Sequence, residues 1–141
     1  LIRKTSPASQ TPTPSPVSQE LETFQSKLMK FSIEIPNNFQ AEENLGAVTI
    51  TSTKGKIYVD KNSTNFSELE GYLNDLSNKN KFVLDNRESL QINSLQVIRG
   101  ILGAEKIYFI YAQNKVYTLS TEAHSLYDEL DQIAQSFRYI P

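Results

Sequence analysis

"NRESLQINSLQVIRGILGAEKIYFIYAQNKVYTLST", residues 86–121, decides how this chain folds. It breaks into four strand-like runs, NRESLQI, LQVIRGIL, EKIYFIYA and KVYTLST, the last three rich in β-branched, aliphatic or aromatic residues. Between them stand only Asn93-Ser94, Gly103-Ala104 and Gln113-Asn114. Parallel neighbours need a crossover of a dozen or more residues, so links this short leave an antiparallel meander of four strands. In the third run both side-chain sets are apolar: Ile107, Phe109 and Tyr111 alternate with Tyr108, Ile110 and Ala112. A strand that is apolar on both sides needs cover on both.

Toward the C-terminus, Leu126, Leu130, Ile133 and Phe137 recur at helical spacing, which predicts a helix with that stripe buried. Ser125 is placed to cap it, and Asp128, Glu129 and Asp131 lie near its positive end. Toward the N-terminus, Phe66, Leu69, Leu73 and Leu76, with Tyr72 beside them, predict a second helix. Asn65 followed by Glu68 reads as its capping box, and SNKNK suits its end. Gly71 falls inside it, at a cost of about 1 kcal/mol relative to Ala. Before that helix, AVTITS and KIYVD form a hairpin across Thr53-Lys54-Gly55. The lysines at 54, 56 and 61 read as solvated hairpin charges that discourage edge pairing rather than as an anion site. FSIEIPNNF, residues 31–39, supplies a half-buried strand through Phe31, Ile33 and Ile35. Pro36 ends it, Asn37-Asn38 turn the chain, and Phe39 returns to the core.

The resulting expectation is an α+β domain: an antiparallel β-sheet flanked by helices on both faces, an α-β-α sandwich, with Phe66 and Phe137 buried on different flanks. Residues 22–141 form that domain. Residues 1–21 form a disordered linker, because TSPASQTPTPSPVS at 5–18 offers almost no apolar surface to offset the entropy of ordering. At about 3.1 Å per residue such a segment reaches on the order of 40 Å, and its composition suits a stalk. A stalk outside the membrane implies an apolar segment or lipobox directly before Leu1 in the full-length gene. Arg3-Lys4 would then flank that anchor on its outer side, against the positive-inside bias.

Seven Phe and seven Tyr give bulk for a core, and there is no Cys. That absence removes disulfides, thiolate nucleophiles and Cys-ligated metals together. A formal charge of −2 and a pI near 5.4 exclude a general nucleic-acid binder, which needs a concentrated basic face. No run of eighteen apolar residues occurs, so this segment inserts no helix into a membrane.

The opening phrase FSIEIPNNF and the closing phrase LDQIAQSFRYIP, with the meander between them, resemble the PsbP-like domains of the Mog1/PsbP fold. Phe31, Ser32, Ile33 and Pro36 match that family's opening, and Ser136 and Phe137 match its close. Ile35 stands where the family often has Tyr, and Phe39 where it usually has Trp. The resemblance covers residues 24–141 and implies the α-β-α sandwich. In plants and cyanobacteria such domains assist photosystem II assembly or its calcium and chloride retention. Elsewhere in bacteria they are extracytoplasmic lipoproteins or membrane-anchored modules, and Mog1 binds a small GTPase. Plant-type members carry a basic docking segment that this Ser/Pro tail does not match, so the bacterial extracytoplasmic type is the expectation.

The residues themselves spell no reaction. His124 is the sole histidine, and no Gly-x-Ser-x-Gly phrase accompanies it. His124 and Asp128 are four apart, with Glu129 and Asp131 near, which is thin for a metal site; the acids suit a helix N-terminus instead. The five glycines form no phosphate-cradling phrase. No catalytic, cofactor-binding or metal residue is therefore assigned, and no cofactor. The function expected is a non-catalytic extracytoplasmic binding or assembly module with a protein partner in the cell envelope. The rivals are a small hydrolase or metal-dependent enzyme using His124, and a cytoplasmic Mog1-like GTPase-binding protein.

Overall fold

A computed structural model describes residues 20–141. The Ser/Thr/Pro-rich segment assigned to a linker lies, as far as Gln19, outside the described residues. Its last assigned residue, Leu21, already begins a strand.

The described residues form ten strands and two helices in chain order. They are β1 (Leu21–Ser26), β2 (Phe31–Pro36), β3 (Gln40–Asn44), β4 (Ala47–Ser52), β5 (Gly55–Ser63), α1 (Leu69–Asn80), β6 (Asp85–Ile92), β7 (Leu95–Leu102), β8 (Glu105–Ala112), β9 (Lys115–Thr121), α2 (Tyr127–Gln135) and β10 (Arg138–Tyr139). A 3-10 turn, His124–Leu126, leads into α2. The expected meander is present: β6, β7, β8 and β9 pair antiparallel in sequence order. Beyond β9 the sheet continues through β5 and β4 to β3, giving seven strands in the order β3-β4-β5-β9-β8-β7-β6.

The tight turns hold the register. Asn93-Ser94 and Gln113-Asn114 all have positive φ, between 49° and 70°. That is the geometry of a two-residue turn whose twist matches its strands. At the sheet's border, β6 carries a register shift between Asp85 and Glu88, with Asn86 at φ 53°. This bulge folds over Gly100, where an added Cβ would lie 2.5 Å from Leu84 Cγ and 2.8 Å from the Asp85 carbonyl. Only a glycine admits so close an approach.

FSIEIP does not join the large sheet. It is the middle strand of a small one, β1-β2-β10. The opening and closing phrases of the sequence meet there. Phe31 and Phe137 stack 5.5 Å apart at 7°, Tyr117 packs against both rings, and the Ser136 hydroxyl accepts from the Glu34 amide at 2.7 Å. Phe39 is buried, as its place in the pattern required.

The alternate side chains of β8 end in separate clusters. Tyr108, Ile110 and Ala112 share one with Leu126, Leu130, Ile133, Ala134 and Phe137. Ile107 and Phe109 share the other with Leu69 and Leu73. Each fully buried aliphatic or aromatic side chain contributes about 1.5–3 kcal/mol, so both clusters matter to stability.

Three local expectations are corrected. First, α1 begins at Leu69, and neither Asn65 nor Glu68 makes a capping side-chain bond. The Thr64 hydroxyl instead accepts from the Phe66 amide at 3.1 Å, a local turn that competes with early helix entry. Second, Phe66 therefore misses the buried stripe and is 39% exposed, its ring lying over Gly71. Third, Ser125 does not cap α2, because the 3-10 turn intervenes; that helix also stops before Phe137, which is buried from the link to β10.

Candidate functional site

Polar side chains gather in two places, one closed on itself and one open. The closed set joins α2 to β7 and β8. The Tyr108 hydroxyl donates to Asp131 at 2.6 Å and accepts from Arg99 at 2.9 Å. Lys106 donates to the same carboxylate at 2.9 Å, and Arg99 also reaches Glu88 at 2.8 Å. Two cations thus meet two carboxylates around one phenol. Burial first, and then the Asp131 bond, push that phenol up to about 12. Bonds to Glu88 and Tyr108 raise Arg99 further. Through Asp131 these bonds tie α2 to β7 and β8.

His124 stands apart from it. It is exposed and packs its ring 4.6 Å from that of Tyr127. Of the acids near it in sequence, Glu129 pairs with Lys54 at 2.6 Å and Asp131 belongs to the network above, while Asp128 is exposed in the first turn of α2. Lys54, expected as a solvated hairpin charge, is therefore a tie between the β4–β5 turn and α2. Among the described residues no group of three or more His, Cys, Asp or Glu converges to hold a metal.

The open place is a groove of about 360 Å³ where the first turn of α1 overhangs β6 and β7. Leu69 and Ile98 form its apolar wall, and both are nearly inaccessible, at 1% and 4% exposure. Gln96 and Gln91, directly opposite each other across the hairpin, line it with Ser89. Gln96 does structural duty as well: its side-chain oxygen accepts from the Leu69 amide at 3.1 Å, which satisfies a helix-end donor that no local cap reaches. Glu70 pairs with Arg87 of β6. Glu68 lies exposed at the rim, and no ion pair among the described residues matches its charge. Sequence reasoning gave Leu69 to a buried helix stripe and Glu68 to a capping box, and placed none of these residues in a site. The one usable signal was the hairpin register, which sets Gln91 against Gln96.

A second hollow lies between β1 and β3, lined by Phe24, Ile35 and Phe39 under a polar rim. No helix of the described residues is long and apolar enough to cross a membrane.

Comparison with known proteins bears on the fold. No family model matches the chain, and no curated protein does. Among solved structures, it is similar to cyanobacterial PsbP (CyanoP) from Synechocystis sp. PCC 6803, at TM-score 0.53 and 12% identity. That match covers 90% of this chain and 97% of CyanoP. It is also similar to a crystal structure from Bacteroides thetaiotaomicron VPI-5482, at TM-score 0.54 and 12% identity. There 84% of this chain is covered, but only 48% of the other, so the chain spans about half of that protein. The fold is PsbP-like, built mainly on antiparallel sheet.

Proposed function

We propose that this PsbP-like chain is a non-catalytic binding module on the extracytoplasmic side of a bacterial cell. It is carried on its Ser/Thr/Pro-rich N-terminal segment and meets a protein partner of the envelope through the groove between α1 and β6–β7. In this reading the molecule has three layers, with α1 on one face of the seven-stranded sheet and α2 with the small sheet on the other. The division of the β8 side chains between two helix-containing clusters supports that layering. The observation that carries the functional reading is the contrast between the two polar sites. The network beside α2 matches its charges internally, whereas the groove leaves Glu68 unmatched at its rim over an apolar wall. Matched networks hold structure, and an apolar floor with a few unpaired polar groups is what a binding surface requires.

A crosslinking experiment tests it. A photo-reactive amino acid at Ser89, in the full-length gene expressed in its own cells, should give one discrete adduct in the envelope fraction. Glu68→Lys should suppress it, while the same label at exposed Thr51 should give none. No adduct at Ser89, or an adduct only with cytoplasmic proteins, would remove the reading.

A further inference from the structure

We infer that the free border of β6 takes an extended basic peptide segment as an added strand, with one lysine or arginine side chain lodged in the groove under α1. This rests on the binding role given to that groove above and names its occupant.

Of the seven strands, β6 is an outermost one and pairs only with β7. Its ladder is regular from Glu88 to Ile92 and is ended by the bulge at Asn86. The hairpin loop has two residues, closed by Ile92 opposite Leu95. Alternation along an antiparallel ladder then points the backbone groups of Ile92, Leu90 and Glu88 toward β7, and those of Ser89 and Gln91 outward. These outward groups are a template for another strand. Sheet borders are normally blunted by charge or proline. The opposite border, β3, carries Glu42 and Glu43, whereas Ser89–Ile92 carries neither charge nor proline.

The groove sets the chemistry of the added strand. Ser89 and Gln91 share the α1 side of β6 with Gln96 and Ile98 of β7. A strand laid beside them sends alternate side chains to that same side. There the wall of Leu69 and Ile98 suits an aliphatic stem, and unmatched Glu68 suits a cationic head. Glu70 is already paired with Arg87, so one cation is wanted. An acidic segment would meet Glu68 unshielded, and electrostatic complementarity selects against it.

The test is an NMR titration of the isotope-labelled chain with a capped peptide alternating threonine and valine around a central arginine. Shifts should concentrate at Ser89–Ile92 and Leu69–Glu70. Gln91→Pro removes an outward donor and leaves the ladder to β7 intact, so it should weaken binding about tenfold or more at unchanged thermal midpoint. Glu68→Gln should weaken the arginine peptide about threefold, as for an exposed ion pair, and leave a glutamine counterpart unaffected. Shifts centred on β1 or β3, no shifts up to the peptide's solubility, or indifference to Gln91→Pro would each overturn the inference. If the Ser89 crosslink still captures an envelope protein while the peptide leaves β6 unmoved, strand addition fails and the groove's binding role stands. Failure of both removes the two together.

Discussion

Tyr108 is where the polar structure of the molecule converges. Its ring is fully buried in the larger cluster, while its hydroxyl bridges Arg99 and Asp131. Tyr117, whose hydroxyl donates to the Met29 carbonyl, is raised to about 12 as well, chiefly by burial. A phenol raised above its ordinary value of 10.0 keeps its proton in the folded chain after the unfolded chain has lost it. Stability from this source is therefore complete below pH 10 and falls as pH rises from 10 through about 12. With two such tyrosines the slope reaches about 2.7 kcal/mol per pH unit. Tyr108→Phe keeps the ring and deletes one titration. Denaturant unfolding across that window should show the alkaline slope cut by about half. At pH 7 the same variant should lose about 1–2 kcal/mol, because Asp131 and Arg99 each lose a partner. An unaltered alkaline slope would mean that the phenol titrates as freely folded as unfolded.

Among the elements, the hairpin turns are the most exacting. Gln113 and Asn114 sit at φ 53° and 60°, a conformation that costs an L-residue roughly 1–2 kcal/mol and that Asn-Gly relieves. Replacing the pair, Gln113→Asn with Asn114→Gly, should stabilise the protein by about 0.5–1 kcal/mol in chemical denaturation. A loss of stability would show that the β8–β9 loop is of another type. These turns were legible in the sequence because Asn and Gly mark them between strand-like runs. The borders were less so. QAEEN is all polar apart from Ala41, and β4 alone recruits it as β3. LETFQS shows one half-buried ring and becomes β1 only through pairing with β2. Asn65-Phe66-Ser67-Glu68 spells a capping box, yet the Thr64 turn delays the helix and leaves Phe66 half outside. The groove could not be read directly, because its lining comes from three elements separated by up to thirty positions and meets only after the helix docks.

For the whole molecule, the aromatic contact between the first and last phrases ties the small sheet to the large one. Phe31 from β2 and Phe137 after α2 stack on Tyr117 of β9, so both ends of the described chain close on the centre of the large sheet. The proposed layering rests on β8, whose alternate side chains divide between two clusters, each containing residues of one helix. If α1 left its side of the sheet, the groove beside β6 would vanish, and with it the proposed binding role. Nuclear Overhauser contacts between methyl and aromatic protons test this arrangement most directly. Contacts are expected from Leu73 to Phe109 and Ile98, and from Leu130 and Ile133 to Ile110 and Tyr108, with the two sets not crossing. Contacts from both helices to one and the same set of β8 side chains would contradict it.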